Sequence, residues 1–263
     1  MTGIEMDREE FLDRLEQSDM ILVGLGEEFD GTKRLRQQTG YGQGCACLKE
    51  EGLSWLIPYW NEYCLDRAGD CSIKNALEKL REVLKGKNHF AVSVSTNSQI
   101  ADTGRNVMPC GSILRKQCSA GCREVLRDRT EEDAEGLARF FRELAEGRLQ
   151  KEKLTLGICP ECGAPLVLNN IYAESYNENG YLDQWNLYRK WLQRTLNHRL
   201  LILELGVGMR FPTVIRWPFE KTAFFNQKAY FYRVNENLYQ LTKELSGKGC
   251  GISKDAVAWL AQL

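Results

Sequence analysis

The stretch Met20-Ile21-Leu22-Val23-Gly24-Leu25-Gly26 decides the fold. A short unbroken apolar run closed by glycines is the pattern of a strand buried on both faces, the kind that parallel sheets contain. The turn at its carboxyl end is where such sheets hold ligands. Upstream, residues 7–17 set Phe11, Leu12 and Leu15 on one helical face, and Ser18-Asp19 leads into the strand. Downstream, the glycine-rich segment from Phe29 to Gly52 reads as a long loop with some helix. Ile73, Leu77, Leu80 and Leu84 then recur at helical spacing, Gly86 suits a helix C-terminus, and residues 89–94 form a second strand. Residues 181–196 read as helix, 200–205 as a third strand ending in Gly206-Val207-Gly208, 229–234 as a fourth, and 253–262 as a capped closing helix. Helices alternating with apolar strands predict an α/β protein, a Rossmann-like parallel sheet with helices on both faces.

Composition is consistent with this. The 263 residues are 43% hydrophobic and 27% charged, which excludes disordered, collagen-like and coiled-coil chains. A formal net charge of -1 provides no basic field for a phosphate backbone, so nucleic acid is not expected as a partner. The apolar runs fall short of the roughly 20 residues that cross a bilayer, and no membrane association is expected. The acidic amphipathic opening lacks a basic segment followed by an apolar one, so the protein is expected in the cytoplasm with reduced thiols. Ten cysteines in that setting are metal ligands, redox groups or core filler. The aromatic set Trp185, Tyr188, Trp191, Trp217, Phe219, Phe224 and Phe225 reads mainly as core.

Four of the cysteines form a pattern. Cys118 and Cys122 make one close pair and Cys159 and Cys162 a second, separated from the first by 36 residues. Two such knuckles supply the tetrahedral sulfur set of a structural zinc, with no open position for water. Free thiols or a redox pair are the weaker alternatives. A charged helix between them, about residues 130–147, starts with a Thr130-to-Asp133 capping pattern. The expected organisation is a Rossmann-like domain of residues 1–106 and 171–263 interrupted by a zinc-binding module of residues 107–170. Cys45, Cys47, Cys64 and Cys71 read as packing residues.

Glycine turns end the first and third strands, and Arg233-Val234-Asn235 ends the fourth. Together they suggest a dinucleotide crevice. With Ser95-Thr96-Asn97 at another strand end and the four-cysteine insert, the chain resembles the sirtuins from about residue 18 onward. It is most similar to their bacterial macrodomain-linked class, associated with protein ADP-ribosylation, through Leu203-Glu204-Leu205-Gly206-Val207-Gly208, Pro212 and Asn235. The resemblance implies NAD as cofactor and a protein as substrate or partner. It assigns NAD contacts to Gly24, Gly26, Thr96, Asn97 and Gln99, to Gly206, Val207 and Gly208, to Asn235, and to Cys250 in a late adenine-side loop.

Three motifs depart from the sirtuin pattern. The opening Gly-Ala-Gly-x-Ser reads Gly24-Leu25-Gly26-Glu27-Glu28, and with Asp30 it sets three carboxylates where a pyrophosphate would lie. Asn-x-Asp reads Asn97-Ser98-Gln99. The residue before the glycine that follows the catalytic base is Cys110, and the chain's two histidines, His89 and His198, flank strands as structural residues do. Catalysis is accordingly assigned to Asn97 and Cys110, and the expected activity is NAD-dependent transfer of ADP-ribose to a protein side chain. A catalytically inactive module that binds NAD, ADP-ribose or a partner is the alternative. Lysine deacylation ranks third, because it needs a base such as histidine to activate a ribose hydroxyl.

Overall fold

In a computed structural model of the chain, which describes residues 3–149 and 151–263, nine strands fall into two sheets. They are β1 (Met20–Leu25), β2 (His89–Ser93), β3 (Asn106–Val107), β4 (Gly111–Cys118), β5 (Leu126–Asp128), β6 (Leu166–Asn170), β7 (Leu200–Leu205), β8 (Ala229–Val234) and β9 (Gly249–Ile252). The helices are α1 (Gly3–Gln17), α2 (Thr32–Leu35), α3 (Tyr41–Glu50), α4 (Ile57–Arg67), α5 (Ser72–Leu84), α6 (Glu131–Ala145), α7 (Asn179–Gln193), α8 (Arg216–Phe225) and α9 (Ala256–Ala261).

The large sheet runs β3-β2-β1-β7-β8-β9, and every pairing in it is parallel. Renumbered within the sheet, that is the order 3-2-1-4-5-6 of a doubly wound dinucleotide fold. The chain reverses direction of winding between β1 and β7, and the carboxyl ends of these strands are where folds of this order hold ligands. β1 and β7 are buried along their whole length because both faces are covered. Alternation sends Ile21, Val23, Leu201 and Leu203 into one core and Leu22, Leu200 and Ile202 into the other. Gly24 lies within β1, where an added Cβ would come 2.6 Å from Ile215 and 2.8 Å from Phe219. Its missing side chain lets α8 pack closely on the sheet.

Two edge strands, β3 and β9, extend the four expected from the apolar runs. The segment expected as a glycine-rich loop contains α2 and α3. The small antiparallel sheet, β5-β4-β6, carries the cysteines with α6 beside it. α6 starts at the expected capping box: Asp133 N donates to Thr130 Oγ1 at 3.2 Å and Thr130 N to Asp133 Oδ2 at 2.7 Å. Phe141 of α6 stacks on Tyr59 of α4 with ring centroids 4.9 Å apart, which ties the small sheet's helix to the large sheet's flank. Of the aromatic set read as core, Tyr188, Trp191 and Phe219 are buried. Trp217, Phe224 and Phe225 stand about half exposed, because they lie on the outer face of α8. Among the described residues no helix is long and apolar enough to cross a membrane. Residues 1, 2 and 150 of the expected domain ranges lie outside the described residues.

Candidate functional site

The crevice at the switch point is narrow because its two walls touch. Gly26 N donates to Leu205 O at 2.8 Å, and a Cβ on Gly26 would lie 2.0 Å from Gly206 O. Gly206 turns the chain with φ +62°, a conformation that favours glycine, and its N donates to Val234 O at 2.8 Å. Val207 is buried and its carbonyl accepts from Arg216 Nη2 at 2.7 Å. Arg216 lies 3.2 Å from Glu204, whose carboxylate is bonded by Arg233 at 2.7 and 3.0 Å; Arg233 also meets Glu220 at 2.7 Å. The position of the 206–208 turn is thus set from beneath by a buried ionic network. Arg233 stands at the end of β8 in the Arg233-Val234-Asn235 motif. The structure buries it fully, opposite Glu204 in the β7–β8 register.

The three carboxylates after β1 divide their work. Asp30 turns inward and accepts from Ser95 Oγ at 2.7 Å, Thr96 N at 2.7 Å and Thr96 Oγ1 at 3.1 Å, fixing the end of β2. Burial raises its pKa and these donors oppose the rise. Glu27 Oε2 accepts from Gly208 N at 2.7 Å, and Glu28 Oε2 accepts from Ala256 N at 2.9 Å.

Beyond β2, Asn97 is buried and engaged at both ends of its amide: Nδ2 donates to Phe29 O at 3.0 Å and Oδ1 accepts from Gln99 N at 3.0 Å. Ser98 gives its N and Oγ to Glu62 at 2.8 and 2.6 Å. Burial pushes the Glu62 carboxyl up to about 7 against these bonds, with Arg129 lowering it and Asp66 raising it. Gln99 Oε1 is buried without a hydrogen-bond partner. Cys110 is buried, and desolvation pushes its thiol up to about 12, with Asp30 adding to the rise and Arg210 opposing it. It stays a neutral thiol at physiological pH, which makes it a poor base and a poor nucleophile there. Arg210 Nη1 donates to Tyr172 Oη at 2.7 Å, strapping the segment after β6 to the one after β7.

Asn235 and Cys250 are placed differently from an exposed ligand face. Asn235 is buried, accepting from Asn237 N and Leu238 N at 3.0 and 2.8 Å and donating to Val207 O at 3.3 Å, so it shapes the turn after β8. Cys250 lies in β9, a strand where a loop was expected, in register with Tyr232. His89 Nδ1 and Nε2 each sit 3.1 Å from a backbone carbonyl, of Lys87 and Thr103, and His198 is exposed. Neither faces the crevice turns.

Cys118, Cys122, Cys159 and Cys162 gather with their sulfurs all within 4.8 Å of one another, Cys118 and Cys162 at 3.5 Å. A tetrahedron with metal–sulfur bonds of about 2.3 Å has sulfur–sulfur edges of about 3.8 Å, so the four fit zinc. Backbone bonds from Gly121 N to Cys118 O (3.2 Å) and from Gly163 N to Cys159 O (2.9 Å) shape the two knuckles. For NAD the fit divides. The open acceptor on Gln99 suits an amide donor such as nicotinamide's. The amides of Gly208 and Ala256 are taken by Glu27 and Glu28, so a phosphate fits there only once these carboxylates move.

No protein-family model matches the chain. It has the fold of sirtuin structures: it is similar to a Sir2 homologue in complex with NAD, with a TM-score of 0.54 and 13% identity over 97% of this chain and 91% of that one. It is likewise similar to Sir2Tm bound to a propionylated peptide, with a TM-score of 0.54 and 12% identity over 98% and 97% of the two chains. In sequence, it is 24% identical over 99 residues to a protein ADP-ribosyltransferase of Staphylococcus aureus, covering 37% of this chain and 31% of that protein. It is 35% identical over 65 residues to a probable bifunctional ADP-ribose hydrolase/ADP-ribosyltransferase of Fusarium oxysporum f. sp. cubense, covering 24% of this chain and 11% of that protein. The chain therefore spans about a third or less of the length of these two relatives.

Proposed function

We propose that the protein is a sirtuin-fold, NAD-dependent enzyme that transfers ADP-ribose to a protein side chain. In this reading residues 107–170 fold around a structural zinc held by Cys118, Cys122, Cys159 and Cys162. What supports it is the switch point of the sheet, with the Asn97–Gln99 turn following β2 and Gly206–Gly208 following β7, in a chain of sirtuin fold. The relative named as a protein ADP-ribosyltransferase supports the choice of reaction.

NAD, when bound, supplies a glycosidic bond whose carbon becomes electrophilic as nicotinamide leaves. The chain's part is positional. Gln99 Oε1 has an acceptor to spare, and Asn97, bonded to Gln99 N and Phe29 O, holds the turn that places it. Rigid dipoles in a water-poor site serve bond polarisation well and require no titrating group. Deacylation asks for more, since a hydroxyl must be deprotonated, and the residue at the base position is a thiol held well above neutral pH.

The experiment is nicotinamide release from NAD, with and without an acyl-lysine peptide. Release that leaves the peptide's acyl group in place supports transfer or hydrolysis. Stoichiometric loss of the acyl group makes the protein a deacylase and overturns the proposed reaction. A second reading, a catalytically inactive docking module, is favoured by Glu27 and Glu28 standing in the crevice.

A further inference from the structure

We infer that Glu27 and Glu28 determine which ligands the crevice admits: their carboxylates hold the donors that a phosphate would use, and a phosphate-bearing ligand enters only as they leave. This rests on reading the crevice as a dinucleotide site.

The contacts are specific. The 2.7 Å bond from Gly208 N to Glu27 Oε2 has the length of a charge-assisted hydrogen bond. Together with the Ala256–Glu28 bond, it ties the end of β1 to segments 181 and 228 residues away. The turn is shaped around these side chains. A Cβ on Gly206 would lie 2.6 Å from Glu28 Cβ, and one on Gly208 would lie 3.2 Å from Glu27 Oε2.

Both carboxylates are held at a cost. Glu27 Oε1 is buried without a partner, and burial raises the Glu28 pKa while the Ala256 amide opposes the rise. A phosphate oxygen is an acceptor of the same charge, and a glycine turn at a strand end binds it through backbone amides such as that of Gly208, which Glu27 holds; Glu28 adds its charge beside Gly206. Two anions cannot share those donors, because like charges at contact distance repel. Entry of a phosphate therefore requires Glu27 and Glu28 to swing out. A neutral ligand that ends at the adenosine makes no such demand.

The test is calorimetric titration of ADP-ribose, and separately of adenosine, into the full chain and two double variants. One is Glu27→Ala with Glu28→Ala; the other is Glu27→Gln with Glu28→Gln, which keeps the side-chain volume and protects against loss of fold. Melting is measured for each. Removing two charge-assisted contacts from the competing state is expected to tighten ADP-ribose binding by about tenfold or more in the folded variants, with adenosine affinity unchanged. Equal ADP-ribose affinity in all folded forms overturns the gating role and leaves the dinucleotide reading standing. Tightening that is the same for adenosine also overturns it, because the effect is then not on phosphates. Failure of every folded form to bind either ligand overturns both.

Discussion

Arg233→Leu removes the centre of the ionic network beneath the 206–208 turn. Arg233 is 1% and Glu204 0% exposed, and the change deletes the two bonds to Glu204, the one to Glu220 and the one to Gln240 O. Glu204 keeps only Arg216, 3.2 Å away, whose guanidinium also serves Val207 O. Removing one partner of a buried pair costs about 3–5 kcal/mol, because the remaining charge stays desolvated. In a domain of this size each kcal/mol lowers the melting temperature by about 2–4 °C, so a fall of roughly 10 °C is expected. Thermal and urea unfolding measure it. An Arg233→Leu protein that melts within about 2 °C of the native one would refute the reasoning, because a buried, uncompensated Glu204 would then cost under about 1 kcal/mol.

The native protein should contain one zinc per chain by elemental analysis, and Cys159→Ala should lose both the metal and the cooperative melting of the small sheet; retained zinc would remove the assignment. Glu62 is raised to about 7 from the ordinary carboxylate range, so the folded state holds its proton between the two values and stability falls as pH rises from about 5 to 7. Glu62→Gln should flatten that part of the melting-versus-pH curve, and an unchanged slope would show that another group produces it. Asn235→Ala should cost about 1–3 kcal/mol, since the amides of Asn237 and Leu238 lose their acceptor; chemical denaturation showing no loss would mark these bonds as dispensable.

Some of this architecture is plain in the sequence and some is not, for physical reasons. β1, β7 and β8 are legible because a strand covered on both faces must be an apolar run. β3 and β9 are not, because two residues, Asn106-Val107, or the short Gly249–Ile252 at a sheet edge, need no such run. The glycines of residues 29–52 suggest a loop with some helix, and the helix includes α3, with Tyr41, Gly44 and Leu48 buried. The cysteine cluster is legible because ligand spacing within a knuckle is local. The role of Asp30 is not, because its partners Ser95 and Thr96 lie 65 and 66 residues on. Glu204 reads as an interruption in an apolar strand until β8 sets Arg233 opposite it. Asn235 reads as exposed ligand surface because the turn that encloses it is made by backbone amides, which leave no signature in residue type.

In the proposed reaction ADP-ribose passes from NAD to a protein side chain beside the Asn97–Gln99 turn. The most direct test is incubation of the purified chain, with a cell extract as a source of acceptor, with NAD labelled in its adenosine half, followed by denaturation and detection of label on protein. Covalently retained label that depends on the chain and disappears in a folded Asn97→Ala variant is the expected result. Label transfer that survives unchanged in Asn97→Ala, or acyl-group removal with no label retained on protein, would contradict the account.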